Sequence, residues 1–392
     1  MKKLAVLGVG SAGIQSLSFF LKKLDNSWEI TSIYDPTIPI LGIGESTNPL
    51  FVKTMYWGTG LNLYTEIEKK ELDSTLKLGT YYENWRKNSF INPLIGENGA
   101  ALHLNTFKLK DWSFSKFQEK WNDKFKQIMG NVTSVKNTNE KVSIIIDSKE
   151  YFFDYVIDCR GFSKDSEDYV FVKNPTNHCL VHNKKEIINT LYTGHTATKD
   201  GWMFTVPLST RTSYGYLFNK EITSIKKAKE NFSKEIDVPI EELDNIEYSF
   251  NSYYAKKILD GRILKSGTRA VFFEPMFANS LAFYNTINEF FTRHIDGLWT
   301  EEKLNLKFCT EAESYRDMIL FFYHGGSIYD TDFWKITKDF ATEELKNSDY
   351  LNATINFVKE YKKTGKDIPF NWVFKWEAVL EIAKNMGYEY FN

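Results

Sequence analysis

Cysteine is scarce in this chain of 392 residues: Cys159, Cys179 and Cys309 are three in number and far apart. An odd, dispersed set excludes a disulfide framework and a zinc ribbon. Histidine is nearly as rare, with six residues. The densest group, His178-Cys179-Leu180-Val181-His182, falls in a strand-like stretch with no carboxylate cluster beside it, too few donors for a closed metal site. Charge of one sign is missing as well. Lysine and arginine number 49 against 51 acidic residues, with no polybasic block, so neither nucleic acid nor an anionic membrane is expected as a partner. No apolar run approaches the roughly twenty residues of a membrane span. Lys2-Lys3 precede an apolar run of only about four residues, shorter than the core of a signal peptide, and a cytoplasmic protein is expected. No serine sits in a G-x-S-x-G elbow, so no Ser-His-Asp triad is legible.

Aromatic residues, by contrast, make up 16% of the chain, as 31 Phe, 22 Tyr and 10 Trp. An aromatic-rich core explains that figure, and a pocket for a planar ligand needs support from particular positions. The first thirteen residues supply some. Leu4-Ala5-Val6-Leu7 has the length of a buried parallel strand, and Gly8-Val9-Gly10-Ser11-Ala12-Gly13 leads from it into a helix over 14–21. Strand, glycine turn and helix in that order are the setting of a dinucleotide site. Gly8 permits the turn, Gly10 lets backbone approach a pyrophosphate, and Gly13 lets helix pack on strand. The N–H groups of Ser11, Ala12 and Gly13 then face the phosphates with the positive end of the helix dipole. A second apolar run over 29–34 ends at Asp35, placed for a ribose hydroxyl. These residues allow NAD or FAD equally.

Further on, the pattern predicts a charged helix over 61–73 and a strand over 74–82. The strand's alternation puts Lys77 on one face with Thr75, Gly79 and Tyr81, and base rates for lysine favour solvent exposure. A helix is expected over 108–130, strands over 142–146 and 152–158, and a strand-rich stretch over 168–220. Asp158 and Gly161 close the strand at 152–158 in the manner of a second nucleotide-facing strand end. Trp202, Phe204 and Val206 share one face of a strand over 201–208. Helices follow over 222–235, 238–243 and 279–295, and 301–392 is mostly helical. The expected architecture is α/β: a Rossmann-like FAD-type fold with a mixed sheet. Its core spans residues 1–300, a substrate-side sheet is interleaved at about 75–110 and 168–255, and the C-terminal part over 301–392 is helical.

An ordered set of motifs goes further. Gly8 to Gly13, Gly44-Glu45-Ser46-Thr47, Leu76-Lys77-Leu78-Gly79 with Trp85, Val156-Ile157-Asp158 with Gly161-Phe162, and Glu274-Pro275 follow one another in the chain. With them stand Trp202, Phe204, Val206-Pro207-Leu208, Arg211, Gly215-Tyr216 and Asp330-Thr331-Asp332-Phe333-Trp334. Together they resemble the flavin-dependent halogenases of the tryptophan-halogenase superfamily. The resemblance implies FAD, supplied as FADH2 by a separate reductase, held by the Gly8–Gly13 turn, Asp35, Gly44, Glu45, Ser46, Asp158, Gly161, Glu274 and Pro275. It implies that oxygen and a halide co-substrate yield hypohalous acid, which travels through an internal tunnel to Lys77; the lysine either holds it by hydrogen bonding or becomes a haloamine, and an electron-rich aromatic small molecule is halogenated. A lysine that turns inward and loses its proton near neutral pH suits that task.

Departures from the family pattern sharpen the expectation. The family's W-x-W-x-I-P wall stands here as Trp202, Phe204, Val206 and Pro207, still bulky and apolar. The family's catalytic glutamate position is Phe277, which joins the tunnel wall as in phenol- and pyrrole-type halogenases and argues against tryptophan as substrate; a free small aromatic or heteroaromatic is expected instead. The halide site falls on Asn279 and Ser280, whose backbone N–H groups survive the change of side chain. Bromide and iodide shed water more readily than chloride, and a preference for them is expected. Two alternatives stay open: a flavin monooxygenase or oxidase on the same fold, and a catalytically degenerate FAD-binding protein. A homo-oligomer is compatible with all three.

Overall fold

A computed structural model describes residues 1–42, 45–94, 99–162, 166–365 and 376–388. Chain contacts group into two units, the first comprising Met1–Leu76, Ala101–Phe171 and Tyr253–Cys309. Its centre is a six-stranded sheet in the order Leu259–Asp260, Ile263–Lys265, Tyr155–Asp158, Lys2–Leu7, Trp28–Tyr34, Phe125–Met129. The first strand pairs in parallel with both neighbours, so Leu7 lies opposite Asp158 on one side and Ile33 on the other. Ala5 and Leu7 pack with Ile33 and Val156 against Val142, Ile144, Ile146 and Phe153 of a three-stranded antiparallel meander. Alternation along the strand turns Leu4 and Val6 to the opposite face. The helix Ser11–Lys23 packs against the helices Pro49–Thr59 and Asn279–Ile295. Polar locks hold the last of these in place: Gln15 Nε2 donates to the Leu281 carbonyl at 2.9 Å, and Ser16 Oγ to Asn288 Oδ1 at 3.1 Å.

The second unit comprises Lys77–Ala100, Val172–Ser252 and Thr310–Asn392. It is built on a seven-stranded sheet ordered Ile246–Ser249, His178–Lys184, Thr212–Phe218, Gly201–Pro207, Tyr192–Thr198, Gly79–Glu83, Phe90–Pro93. One face takes the amphipathic helix Ile225–Ile236, with Ala228, Phe232 and Ile236 buried against Leu180, Met203, Tyr214, Tyr216 and Phe218. The other face carries aromatic rings. Phe322 stacks on Tyr82 at 4.9 Å, and Trp334 meets Trp85 edge-on at 5.3 Å. Helices thus cover both faces of the sheet.

Several sequence expectations need correction. The helix expected over 108–130 is Thr106–Trp121, and Phe125–Met129 is the edge strand of the parallel sheet. There Phe125 pairs with Ile30 and buries its ring on Phe114 and Phe117, so tertiary packing overrides local pattern. The single strand expected over 152–158 is two, broken at Asp154, whose Oδ2 accepts from the Lys3 N–H at 2.7 Å. The helix expected over 61–73 forms only over Glu66–Glu71. The helix expected over 279–295 is present over that span.

Candidate active site

The glycine turn has the form a pyrophosphate requires. Gly8 sits at φ +93°, and a Cβ there would lie 2.9 Å from the Cys159 carbonyl oxygen. A Cβ on Gly13 would lie 2.0 Å from the Gly8 carbonyl oxygen. Those two glycines are fixed by packing. Gly10 differs: an added Cβ would meet nothing within 4 Å. No side chain caps the helix there, and its first turn holds no acidic residue. The first helical bond runs from the Ile14 N–H to the Gly10 carbonyl at 3.0 Å. The N–H groups of the opening turn therefore face an open cradle that favours an anion. Asp35 lies just past the second strand, and its Oδ1 accepts from the backbone and hydroxyl of Thr37 at 2.8 and 2.6 Å. Those bonds hold its carboxyl below the ordinary range.

Asp158 stands at the end of its strand beside Leu7, and its carboxylate is buried. Oδ1 accepts from Arg160 N and Nε at 3.1 and 2.9 Å, and Oδ2 from Arg160 Nη2 at 2.8 Å. Arg269 Nε pairs with the same Oδ2 at 2.9 Å. The carboxylate is thus spent on two arginines that sequence reasoning did not single out. A lone buried carboxylate would be costly, and the arginines offset that cost. Gly161 follows at φ +90°.

Glu45 to Asn48 run beside Leu102 and Leu104. The Leu104 N–H donates to the Glu45 carbonyl at 2.8 Å, and Ser46 bridges to His103. Asn48 caps the next helix and its Nδ2 reaches the Ala278 carbonyl at 3.5 Å. Glu274 is buried, and Pro275 opens a short turn at Met276–Ala278. Ala278 adopts a left-handed conformation, φ +53°, at the head of the helix Asn279–Ile295. That conformation is strained for alanine, and strain of this kind clusters at functional sites. The backbone N–H groups of Asn279 and Ser280 head a helix of 17 residues. Gly44 and the side chains of Phe277 and Asn279 lie outside the described residues.

The second unit contains Lys77. Its strand ends at the lysine and a new one begins at Gly79, because the Leu78 N–H turns aside to the Leu191 carbonyl at 2.7 Å. The break resets the alternation, so Lys77 is 2% exposed while Tyr81 is 37% exposed. Burial pulls the Lys77 amine down to about 7, which leaves a large neutral fraction at physiological pH. Trp202, Val206 and Pro207 are buried on the strand Gly201–Pro207, and the Phe204 ring lies over Gly215, where any Cβ would collide with it. Trp85 is fully buried and donates its indole N–H to the His195 carbonyl at 3.0 Å. His178 and His182 belong elsewhere on the sheet. His178 Nε2 lies 2.9 Å from Glu247, and His182 Nδ1 accepts from the Asp244 N–H at 3.1 Å. Among the described residues no group of three ligating side chains is placed for a metal ion.

The family model described as tryptophan halogenase matches residues 3–149 and 124–386. A tryptophan 6-halogenase of Streptomyces albogriseolus is 19% identical over 91% of this chain and 81% of its own length. The crystal structure of a tryptophan halogenase from Shewanella frigidimarina superposes with a TM-score of 0.83 at 16% identity, covering 99% of this chain and 89% of that one. A flavin-dependent halogenase from Brevundimonas gives 0.78 at 16% identity, over 99% and 90% of the two chains. Fold and match define a flavin-dependent halogenase, an enzyme that uses FAD to halogenate an aromatic substrate. The chain belongs to the tryptophan halogenase family. No helix among the described residues is long and apolar enough to cross a membrane.

Proposed function

We propose that this enzyme uses FADH2 from a separate reductase, oxygen and a halide to make hypohalous acid, and that Lys77 delivers the halogen to a free, electron-rich aromatic or heteroaromatic small molecule. The observation that carries this reading is the buried amine, 2% exposed and drawn down to about 7. A neutral amine has a lone pair to engage the electrophilic halogen, which an ammonium lacks. At 2% exposure the amine is closed to bulk water.

The residues present fit FAD. Reduced flavin supplies the electrons that activate oxygen for oxidation of the halide. Gly10, Ser11, Ala12 and Gly13 offer N–H groups to its pyrophosphate, and Asp35 offers its second carboxylate oxygen to a ribose. Asp158 acts by holding Arg160 and Arg269. The segments at Glu45–Ser46 and Glu274–Pro275, joined through Asn48 and Ala278, serve the other half of the cofactor. The N–H groups of Asn279 and Ser280 bind the halide. Without the catalytic glutamate at position 277, and with side chains added at 279 and 280, bromide and iodide are favoured because they give up water more readily.

The test is a panel of phenols, indoles and pyrroles incubated with a flavin reductase, oxygen and equal concentrations of chloride, bromide or iodide, with products read by mass spectrometry. Brominated or iodinated aromatics in excess of chlorinated ones are expected. A clear chloride preference removes the halide assignment, and oxygenated products that do not depend on halide point to a monooxygenase instead.

A further inference from the structure

His195 belongs to no motif, yet it occupies the middle of the aromatic face that holds Trp202. It lies on the strand Tyr192–Thr198, opposite Tyr82 on one side and Phe204 on the other. Its ring centroid is 4.8 Å from that of Trp202 and 5.2 Å from that of Tyr82. The residue is 3% exposed and Trp202 is 0% exposed. His195 Nδ1 and Trp202 Nε1 are both closed off from solvent and neither has a hydrogen-bond partner. Buried polar atoms are paired in nearly all proteins, and an unpaired one is costly to keep. Here two of them sit on rings in contact, one able to donate and one able to accept.

The chemistry of the two atoms narrows what they can bind. An indole nitrogen only donates. The imidazole is held neutral by burial and by the nearby charge of Lys77, both of which drive its pKa down to about 3. A neutral imidazole with its proton on Nε2 presents an acceptor at Nδ1. The pair therefore fits a molecule with one O–H to give and an oxygen lone pair to receive, with its remaining end free.

We propose that His195 and the Trp202 indole form the binding site for the oxygen end of hypohalous acid, leaving its halogen directed to Lys77. The assignment rests on the halogenase function proposed above. The Trp202 N–H donates to the oxygen, and the O–H donates to His195 Nδ1. During transfer the O–X bond breaks with its electron pair going to oxygen, and the arene ring forms the C–X bond. The ring proton leaves with that oxygen as water, and the Trp202 N–H stabilises the charge on the oxygen before the proton arrives.

Three variants test the assignment: His195→Leu, His195→Asn, whose amide oxygen takes the place of Nδ1, and His195→Gln, whose amide lies nearer Nε2. With bromide and a phenol as probe, three quantities are followed: flavin oxidised, bromophenol formed, and oxidised bromide captured by a 1,3-diketone scavenger. For His195→Leu we expect unchanged flavin oxidation, at least a tenfold fall in bromophenol per flavin, and a matching rise in scavenged bromide. His195→Asn should recover at least a third of the lost bromophenol and His195→Gln less. Wild-type bromophenol yield in His195→Leu overturns the assignment. So does an equal loss in all three variants with a lowered melting temperature, which marks a purely structural histidine. If the wild type yields neither bromophenol nor scavenged bromide, the halogenase function itself fails, a result distinct from either.

Discussion

Lys77 shows what one residue costs and gives. An unfolded lysine keeps its proton to about pH 10.4, whereas the folded Lys77 keeps it only to about 7. Between those values the unfolded chain binds more protons, so this residue makes stability rise with pH across the window. Below pH 7 the full penalty of holding a buried ammonium is present. Lys77→Met should therefore stabilise the protein at pH 7, by up to roughly 4 kcal/mol at the equivalence of about 1.4 kcal/mol per pKa unit. The gain should shrink toward zero near pH 10, as read by urea unfolding of both proteins at pH 7 and 9.5. A constant gain at both pH values contradicts a buried titrating amine. Halogenation per flavin should climb between pH 6 and 8 as Lys77 loses its proton, in a range where His195 stays neutral. The sequence alone favoured an exposed lysine, because unbroken alternation set Lys77 beside Tyr81. The break at Leu78 depends on a carbonyl more than a hundred residues away, Leu191, and no local pattern encodes it. His195 was illegible for a related reason: its meaning lies in its neighbours Trp202 and Tyr82, which only the sheet register brings together.

At the scale of elements, the glycine turn separates two kinds of glycine that look identical in sequence. Gly10→Ala should fold normally, within about 0.5 kcal/mol of wild type, since its Cβ meets nothing. It should nevertheless weaken FAD binding at least tenfold, because the methyl fills the phosphate cradle. Gly13→Ala should lose about 1–3 kcal/mol of stability by overpacking, since its Cβ would strike the Gly8 carbonyl at 2.0 Å. Thermal melts of the apoproteins and flavin titrations check both, and a Gly10→Ala protein with wild-type affinity would move the pyrophosphate elsewhere. At the head of the helix Asn279–Ile295, Ala278→Gly should stabilise by about 1 kcal/mol through relief of the left-handed conformation. Elements with a strong period of their own were legible, such as the opening strand and helix, the strand Gly201–Pro207 and the helix Asn279–Ile295. Elements defined by a partner were not. Phe125–Met129 is a strand because Trp28–Tyr34 offers it an edge, and Asp154 divides two strands because it caps the Lys3 N–H.

At the scale of the whole molecule, the chain divides into an α/β unit that opens with the glycine turn and a second unit that contains Lys77, Trp202 and His195. No covalent cross-link supports either unit: all three cysteines are free, and burial pushes the Cys179 thiol up to about 12. The melting temperature should be the same with and without a thiol reductant, and a drop on reduction would reveal a disulfide the fold does not contain. The central claim is that oxidant made at the flavin reaches substrate by way of Lys77. The most direct measurement is halogenated product per flavin oxidised, by mass spectrometry on a phenol with bromide, for the wild type and Lys77→Ala side by side. Lys77→Ala should oxidise reduced flavin at the wild-type rate and yield less than one hundredth of the bromophenol. Bromophenol at the wild-type yield in Lys77→Ala would contradict it.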